Sequence, residues 1–120
     1  IININPEEEF SIPQKIEMIN RYLNCNLRNK ITLEEVSSYV KMSRTYFCMF
    51  FKSHFKEGFA DYVNRKRIEK ACQMLKGTNK DMDTIVSECG FKTIPYFTRV
   101  FKSIIGCAPS VYRGNVLGDV

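Results

Sequence analysis

Apolar residues recur every three or four positions along most of the chain, which is the spacing of helices that bury one face. The first such segment runs from Gln14 and fades near Asn26. Thr32 and Glu35 then form a capping box, in which each side chain bonds the backbone amide of the other, and this box opens a second helix that ends near Val40. The inward positions of these two helices are Ile16, Ile19, Leu23 and Leu27, followed by Leu33, Val36 and Val40.

Two further helices are predicted in the middle of the chain. Ser43 caps the third helix, whose buried stripe consists of phenylalanines. The fourth helix is longer and runs from Phe59 to about Lys76, with Gly58 at its start and Gly77 as its C-terminal cap. The inward positions of the third helix are Phe47, Phe50, Phe51 and Phe55.

The last third of the chain predicts three more helices. A fifth begins after Asp81 and ends near Cys89, and a short seventh ends near Arg113. Thr93 caps the sixth, and Pro95 fits its first turn because the amide that proline lacks would have no helical partner there. No segment of useful length alternates with the period of a strand, so the predicted fold class is all-α with about seven helices.

The third and sixth helices are near copies of each other. Residues 46–53 read YFCMFFKS and residues 96–103 read YFTRVFKS. The shift between the copies is 50 residues here and 49 residues upstream of the preceding turn, so the second copy has one extra residue in its turn. Each copy is a short helix, a tight turn and a longer helix, which is the helix-turn-helix pattern. The predicted units are residues 14–58 and 81–113, and residues 59–76 form the joining helix.

The distribution of charge suggests a class of partner. The net charge is +5, and residues 41–80 alone hold ten basic and three acidic side chains. Such an excess fits a face that binds a polyanion, but it fits a solvated lysine-rich surface about equally well.

Composition argues against several other classes of function. Five cysteines without a CxxC pair do not match a zinc or disulfide framework, and most are expected to be small core residues in a reducing compartment. His54 is the only histidine, and there is no phosphate loop, metal-ligand spacing or pair of catalytic carboxylates. We therefore expect no enzyme activity, metal or cofactor. No signal peptide or apolar run of about 20 residues occurs, which predicts a cytoplasmic protein without a membrane partner.

Three stretches carry a more specific signal: ITLEEVSSYVKMSRTYF, FADYVNRKRIEKACQML and DTIVSECGFKTIPYFTRVFKSIIGCAPSVYR. Together they resemble the C-terminal DNA-binding domain of the AraC/XylS family of bacterial transcription regulators. The resemblance covers residues 14–113, and its most specific part is the pattern GF-x₄-YF-x₂-VFK-x₃-G-x₂-P-x₂-YR from Gly90 to Arg113.

The resemblance implies sequence-specific binding of double-stranded DNA, with the third and sixth helices in adjacent major grooves, and regulation of transcription in the bacterial nucleoid. A joining helix of roughly 18 residues spans about 27 Å, the scale of one DNA turn of about 34 Å. The resemblance also implies an N-terminal sensing, dimerisation or receiver domain, and it makes RNA polymerase a candidate partner. Residues 1–13 are interpreted as a linker or truncated tail, residues 14–114 as the DNA-binding domain and residues 115–120 as a C-terminal tail.

Base-reading positions are expected on the faces opposite the buried stripes, which in the sixth helix consist of Phe97, Val100, Phe101 and Ile104. Arg99 can bond guanine O6 and N7, and Thr98 can contact a base or a thymine methyl. The family usually has polar or basic residues where this chain has Cys48 and Met49, so the first unit is expected to read thymine methyls or DNA shape. The base-reading candidates are Arg44, Thr45, Cys48, Met49, Ile94, Pro95, Thr98 and Arg99.

Phosphate contacts are expected from helix N-termini and from basic side chains. These candidates are Thr32, Ser43, Lys52, Arg65, Arg67, Lys92, Thr93 and Lys102. For residues 65–67 an alternative is open, because at least one of these cations can pair with Glu69 or Asp61 along the helix.

Two further alternatives concern the outward apolar residues. If Cys48 is exposed, it could be a redox-sensitive thiol, although no resolving cysteine is near it in sequence. Cys48 and Met49, with Ile94 and Pro95, could also form a patch for a protein partner. The alternative function is therefore a helical protein-interaction module that has lost sequence-specific DNA reading.

Overall fold

The computed structural model describes residues 10–118 of the chain, with side chains as far as residue 114. Within that range it contains seven helices and no strand, which confirms the predicted all-α fold class. None of the helices in the described part is long and apolar enough to cross a membrane. The helices are α1 (Ile12–Asn26), α2 (Leu33–Tyr39), α3 (Arg44–Phe55), α4 (Phe59–Gly77), α5 (Met82–Glu88), α6 (Ile94–Ile105) and α7 (Pro109–Gly118).

The chain divides into two compact units. Among the described residues, the first unit contains those up to Asn26 together with Lys30–Tyr62, and the second contains Leu27–Asn29 and those from Val63 onward. The first turn of α4 therefore belongs to the first unit and the rest of that helix to the second. Each unit contains one pair of helices in the predicted helix-turn-helix order, α2 with α3 and α5 with α6.

The first unit has an aromatic core built around α3. Phe47 and Phe51 are almost completely buried, as the predicted stripe requires. The Phe51 ring meets the edges of Phe59 and Tyr62 from the start of α4, with ring centroids 5.4 Å and 5.3 Å apart. Burying side chains of this size contributes about 1.5–3 kcal/mol each, so these contacts fix which face of α3 points outward.

The second unit has an equivalent core under α6, and here one prediction is wrong. Phe97 and Phe101 are fully buried, but Ile104 is 39% exposed instead of inward. Tyr112 of α7 packs edge-on against Phe101 at 5.6 Å, so α7 closes this end of the core and Ile104 is left at the surface. The buried residues of this core are Ile68, Ala71, Leu75, Ile85, Val86, Cys89, Phe91, Phe97 and Phe101.

The predicted N-caps Thr32, Ser43 and Thr93 are confirmed by hydrogen bonds, and Asp81 caps α5 in the same way. The predicted capping box is only half formed, because the Glu35 carboxylate accepts from the Tyr22 hydroxyl at 3.0 Å and not from the Thr32 amide. Each capping oxygen accepts from the backbone N–H three residues later, at 3.1 Å for Thr32 and Ser43, 2.9 Å for Asp81 and 3.3 Å for Thr93. Such caps stabilise a helix by about 1 kcal/mol each. They place the starts of α3 and α6 at equivalent positions in the two units.

Three predicted helix ends differ from the structure. Helix α1 begins at Ile12, two residues before the predicted start, because Ser11 and Gln14 form a capping box. The Ser11 amide donates to the Gln14 side chain at 2.8 Å, and the Gln14 amide donates to the Ser11 hydroxyl at 3.3 Å. Gly77 lies inside α4 and is not among the residues with positive φ, while the Thr78 amide continues the helical bonding to Met74 at 3.1 Å. Helix α7 continues to Gly118. Of the predicted tails, residues 1–9 and 119–120 lie outside the described residues.

The two tight turns use a left-handed residue at equivalent positions. Lys41 has φ +58° in the turn between α2 and α3, and Gly90 has φ +89° in the turn between α5 and α6. Met42 and Phe91 follow them and are equally buried, so Lys92 is the extra residue of the second turn. Both turns therefore lead into their second helices in the same way.

Candidate nucleic-acid interface

Helix α3 exposes one face opposite its phenylalanine stripe. Met49 is 68% exposed, and the other predicted base-reading residues of this helix are also at the surface. Lys52 lies one turn beyond Cys48 and is exposed as well. This face therefore combines the apolar side chains of Cys48 and Met49 with the cations Arg44 and Lys52. The exposed predicted residues are Arg44, Thr45, Cys48, Met49 and Lys52.

A buried lysine supports the opposite side of α3. Lys15 of α1 is only 3% exposed, and its amine lies 5.5 Å from the Tyr46 ring centroid and 5.8 Å from that of Phe50. A cation over an aromatic face is attracted by the ring quadrupole. Lys15 is not among the predicted inward residues, although its spacing of four from Ile19 and eight from Leu23 continues the buried stripe of α1.

An ion pair links α2 to the start of α3. The Arg44 guanidinium lies 2.9 Å from the Glu34 carboxylate, and both side chains are about two-thirds exposed. The pair therefore places a negative charge beside the exposed face of α3. The second unit has Asp83 and Ile94 at the equivalent positions, so it cannot form the same pair.

Helix α6 exposes a face that combines apolar and basic side chains. Ile94, Pro95, Arg99 and Lys102 are exposed, while Thr98 is half-buried. The Arg99 guanidinium lies over the ring of Tyr96, 5.2 Å from its centroid. All of these side chains belong to the twelve residues of α6, so one short helix presents them together.

Tyr96 is a surface residue that the sequence analysis did not include among the candidates. Its side chain is 42% exposed and shares a face with Arg99, three residues later. The signal was available, since Tyr96 is the third residue after the Thr93 N-cap, where recognition helices present side chains. Its counterpart in the repeat, Tyr46, is half-buried in the first unit.

The predicted phosphate candidates fall into two groups. Lys52, Lys92 and Lys102 are exposed and lie in or directly before the helices that form the candidate faces. Arg65 instead pairs with Glu69 at 2.8 Å, as the alternative in the sequence analysis described. The N-cap residues Thr32, Ser43 and Thr93 use their side chains for the caps.

Arg67 has a structural role within the second unit. Its Nε donates to the Leu27 carbonyl at 3.1 Å and one terminal nitrogen donates to the Asn29 carbonyl at 2.9 Å. Burial lowers the pKa of this half-buried guanidinium. The chain after α1 is thus bound to α4 by a cation that the sequence analysis had assigned to phosphate.

The cysteines follow the expected pattern only in part. Cys89 is fully buried, and burial raises the pKa of its thiol to about 11, so it remains protonated at neutral pH. Cys72 and Cys107 are half-buried. Cys25 and Cys48 are exposed, so Cys25 is not a core residue, while Cys48 lies on the outward face of α3 where it was predicted. A redox role for Cys48 stays a prediction.

Comparison with known proteins relates this arrangement to a large group of regulators. The family described as "Helix-turn-helix domain" matches residues 36–115. Regulatory protein PocR of Salmonella typhimurium is 31% identical over 102 residues, which are 85% of this chain and 34% of PocR. The chain therefore spans about a third of the length of that relative.

Two solved structures are similar in fold. The C-terminal domain of the two-component response regulator yesN from Fusobacterium nucleatum is 30% identical, with a TM-score of 0.78 over 83% of this chain and 98% of that domain. The DNA-binding domain of AdpA, a global transcriptional factor solved in complex with a target DNA, has a TM-score of 0.81 at 21% identity. That alignment covers 88% of this chain and 94% of the AdpA domain.

Proposed function

Because this chain belongs to the AraC-type helix-turn-helix family of transcription regulators, we propose that its α3 and α6 faces bind adjacent major grooves of double-stranded DNA. The observation that carries the proposal is the duplicated design: each unit has a capped helix with a buried aromatic stripe and an exposed opposite face. The AdpA domain, which has the same fold, was solved on a target DNA. Regulation of transcription by this binding takes place in the bacterial cytoplasm.

The two units read DNA by different chemistry. Cys48 and Met49 have no strong hydrogen-bonding group, so the α3 face selects thymine methyls or groove shape. Arg99 can donate two hydrogen bonds to guanine. Half-buried Thr98, at the edge of the same face, can contact a base or a thymine methyl. Exposed Lys52, Lys92 and Lys102 supply phosphate contacts, together with backbone amides at the starts of α3 and α6.

The first test is selection of binding sites from random duplexes, followed by binding titrations at several salt concentrations. We expect an enriched site with two short elements about one DNA turn apart. The logarithm of the affinity should fall with the logarithm of salt by roughly 0.9 per phosphate contact. A protein that enriches no sequence would favour the alternative function, a protein-interaction module that uses the exposed Met49 and Ile94 side chains. Protection of only one element by footprinting would show that a single unit engages.

Neutralising Glu34 is expected to strengthen DNA binding. The Glu34→Gln variant removes the carboxylate that holds Arg44 and that repels phosphates beside the α3 face. We expect affinity to rise about two- to five-fold at low salt, on selected and scrambled duplexes alike, with little change in stability, because exposed ion pairs contribute only about 0.2–1 kcal/mol.

The matched control for this variant is Glu17→Gln. Glu17 forms an equally exposed ion pair with Arg21 at 2.7 Å, but both residues belong to α1 and neither is a candidate for DNA contact. Titration by fluorescence anisotropy should therefore leave the control close to wild type. Weaker binding by Glu34→Gln alone would mean that Glu34 orients Arg44 for DNA contact instead of opposing it.

The chain spans about a third of PocR, so the partners of a whole protein of this type are also proposals. The similarity to the C-terminal domain of a response regulator supports an additional domain that senses a signal, dimerises or receives a phosphoryl group. RNA polymerase as a partner stays a prediction.

A further inference from the structure

Arg99 and Tyr96 form a stacked pair on the surface of α6. An arginine side chain is long and carries large rotamer entropy, so an exposed arginine ordinarily has to be ordered when it binds a base. The Arg99 guanidinium already lies over the Tyr96 ring, with its central carbon 5.2 Å from the ring centroid. Stacking of this kind restricts the planar guanidinium to few orientations before DNA arrives.

The Tyr96 ring is itself held in place by the second unit. The ring centroid of Phe91, a buried residue of the turn before α6, lies 6.0 Å away with the planes tilted by 53°. The side-chain amide of Asn64 on α4 lies 3.5 Å from the Tyr96 hydroxyl. The stacking platform therefore rests on a core residue and on a neighbouring helix.

The first unit uses its equivalent tyrosine differently. Tyr46 lies under the buried Lys15 amine, and the residue three positions later is Met49, which cannot stack as a cation. Of the two repeats, only the second places an arginine on the tyrosine face. The tyrosine is thus common to both units, while its pairing with a base-reading cation belongs to α6.

We propose that Tyr96 is a positioning residue that determines base specificity by orienting Arg99 for guanine. This inference rests on the proposed function, because it assumes that α6 reads bases. The aromatic ring carries the effect, and the hydroxyl contributes only through its contact with Asn64. Tyr96 acts through Arg99 and not through a contact of its own with guanine.

The test compares how tightly the Tyr96→Leu and Tyr96→Phe variants bind the selected duplex. It also measures their binding to duplexes in which another base replaces the guanine assigned to Arg99. Exposed cation–π contacts support an effect of about two- to five-fold, so Tyr96→Leu should lower the preference for guanine by that factor. Tyr96→Phe retains the ring and should stay within about two-fold of wild type. Tyr39→Leu, which changes another exposed tyrosine on α2, serves as the matched control and should leave the preference unchanged.

A double-mutant cycle with Arg99→Ala separates positioning from direct contact. In the Arg99→Ala background, Tyr96→Leu should have no further effect on base preference. The inference is overturned if Tyr96→Leu alone leaves the preference intact, or if it causes the same loss in both backgrounds. Failure of the wild-type chain to select any site would instead reject the proposed function, and circular dichroism confirms that each variant is folded.

Discussion

Replacing Arg99 with alanine should weaken binding to the selected duplex by about 1–3 kcal/mol and relax specificity at a single base pair. The exposed Arg99 guanidinium can donate two parallel hydrogen bonds to guanine O6 and N7. Alanine leaves those acceptors without a partner while preserving the helix, because alanine is the best helix former. Competition titrations with the four base pairs at that position measure the loss.

The contrasting variant is Lys102→Ala in the last turn of α6. A lysine that contacts phosphate carries no sequence information, so this change should weaken binding of all duplexes to a similar extent and lower the salt slope by about one. If Lys102→Ala relaxed base preference and Arg99→Ala did not, the orientation proposed for α6 would be wrong.

Replacing Gly90 with alanine should destabilise the second unit by about 3 kcal/mol or more. Its φ of +89° is strained for any residue with a side chain, and an added Cβ would lie 1.9 Å from the Leu27 carbonyl oxygen. That oxygen accepts the hydrogen bond from Arg67 Nε, so moving it breaks a charge-assisted contact. The backbone strain costs about 1–2 kcal/mol and the lost hydrogen bond about 1.5–3 kcal/mol.

The repeat provides the matched control for this change. Lys41 occupies the equivalent turn position in the first unit and already carries a side chain at φ +58°. Lys41→Gly should therefore alter stability by no more than about 1 kcal/mol. Urea denaturation followed by circular dichroism measures the free energy of unfolding of each variant, and hydrogen exchange of the α6 amides shows whether stability is lost in the second unit. A Gly90→Ala variant with wild-type stability would contradict the close approach to Leu27.

The fold could be predicted largely from local signals. The Thr32, Ser43, Asp81 and Thr93 caps, together with the apolar spacing, located most helix starts, because a cap and its amide lie three residues apart. The predicted start of α1 at Gln14 is two residues too late, although Ser11 and Gln14 carry the sequence signal of a capping box. Helix ends were less well predicted, as Gly77 illustrates, because a glycine can lie inside a helix when the following residues continue its bonding.

The candidate faces were also predicted well, and for a similar reason. Helical geometry makes a buried stripe imply an exposed one, so all eight base-reading candidates except half-buried Thr98 are exposed. The equivalent tyrosines of the two repeats differ in burial, because Tyr46 lies against Lys15 of another helix whereas Tyr96 is exposed. The contribution of the candidate faces to DNA binding is tested by the site selection and the variants described above.

The sequence by itself determined the helices, the duplicated unit, the family and the outward faces, since each follows from patterns within one helix or one repeat. The tertiary structure decided which long side chains remain available. Arg67 bonds carbonyls of residues 38 and 40 positions earlier, and the Lys15 amine of α1 lies against the Tyr46 and Phe50 rings of α3. The physical reason is the length of these side chains. A capping side chain bonds an amide in the first turn of its own helix, whereas a long cationic side chain contacts groups from distant parts of the chain that only folding brings within a few ångströms.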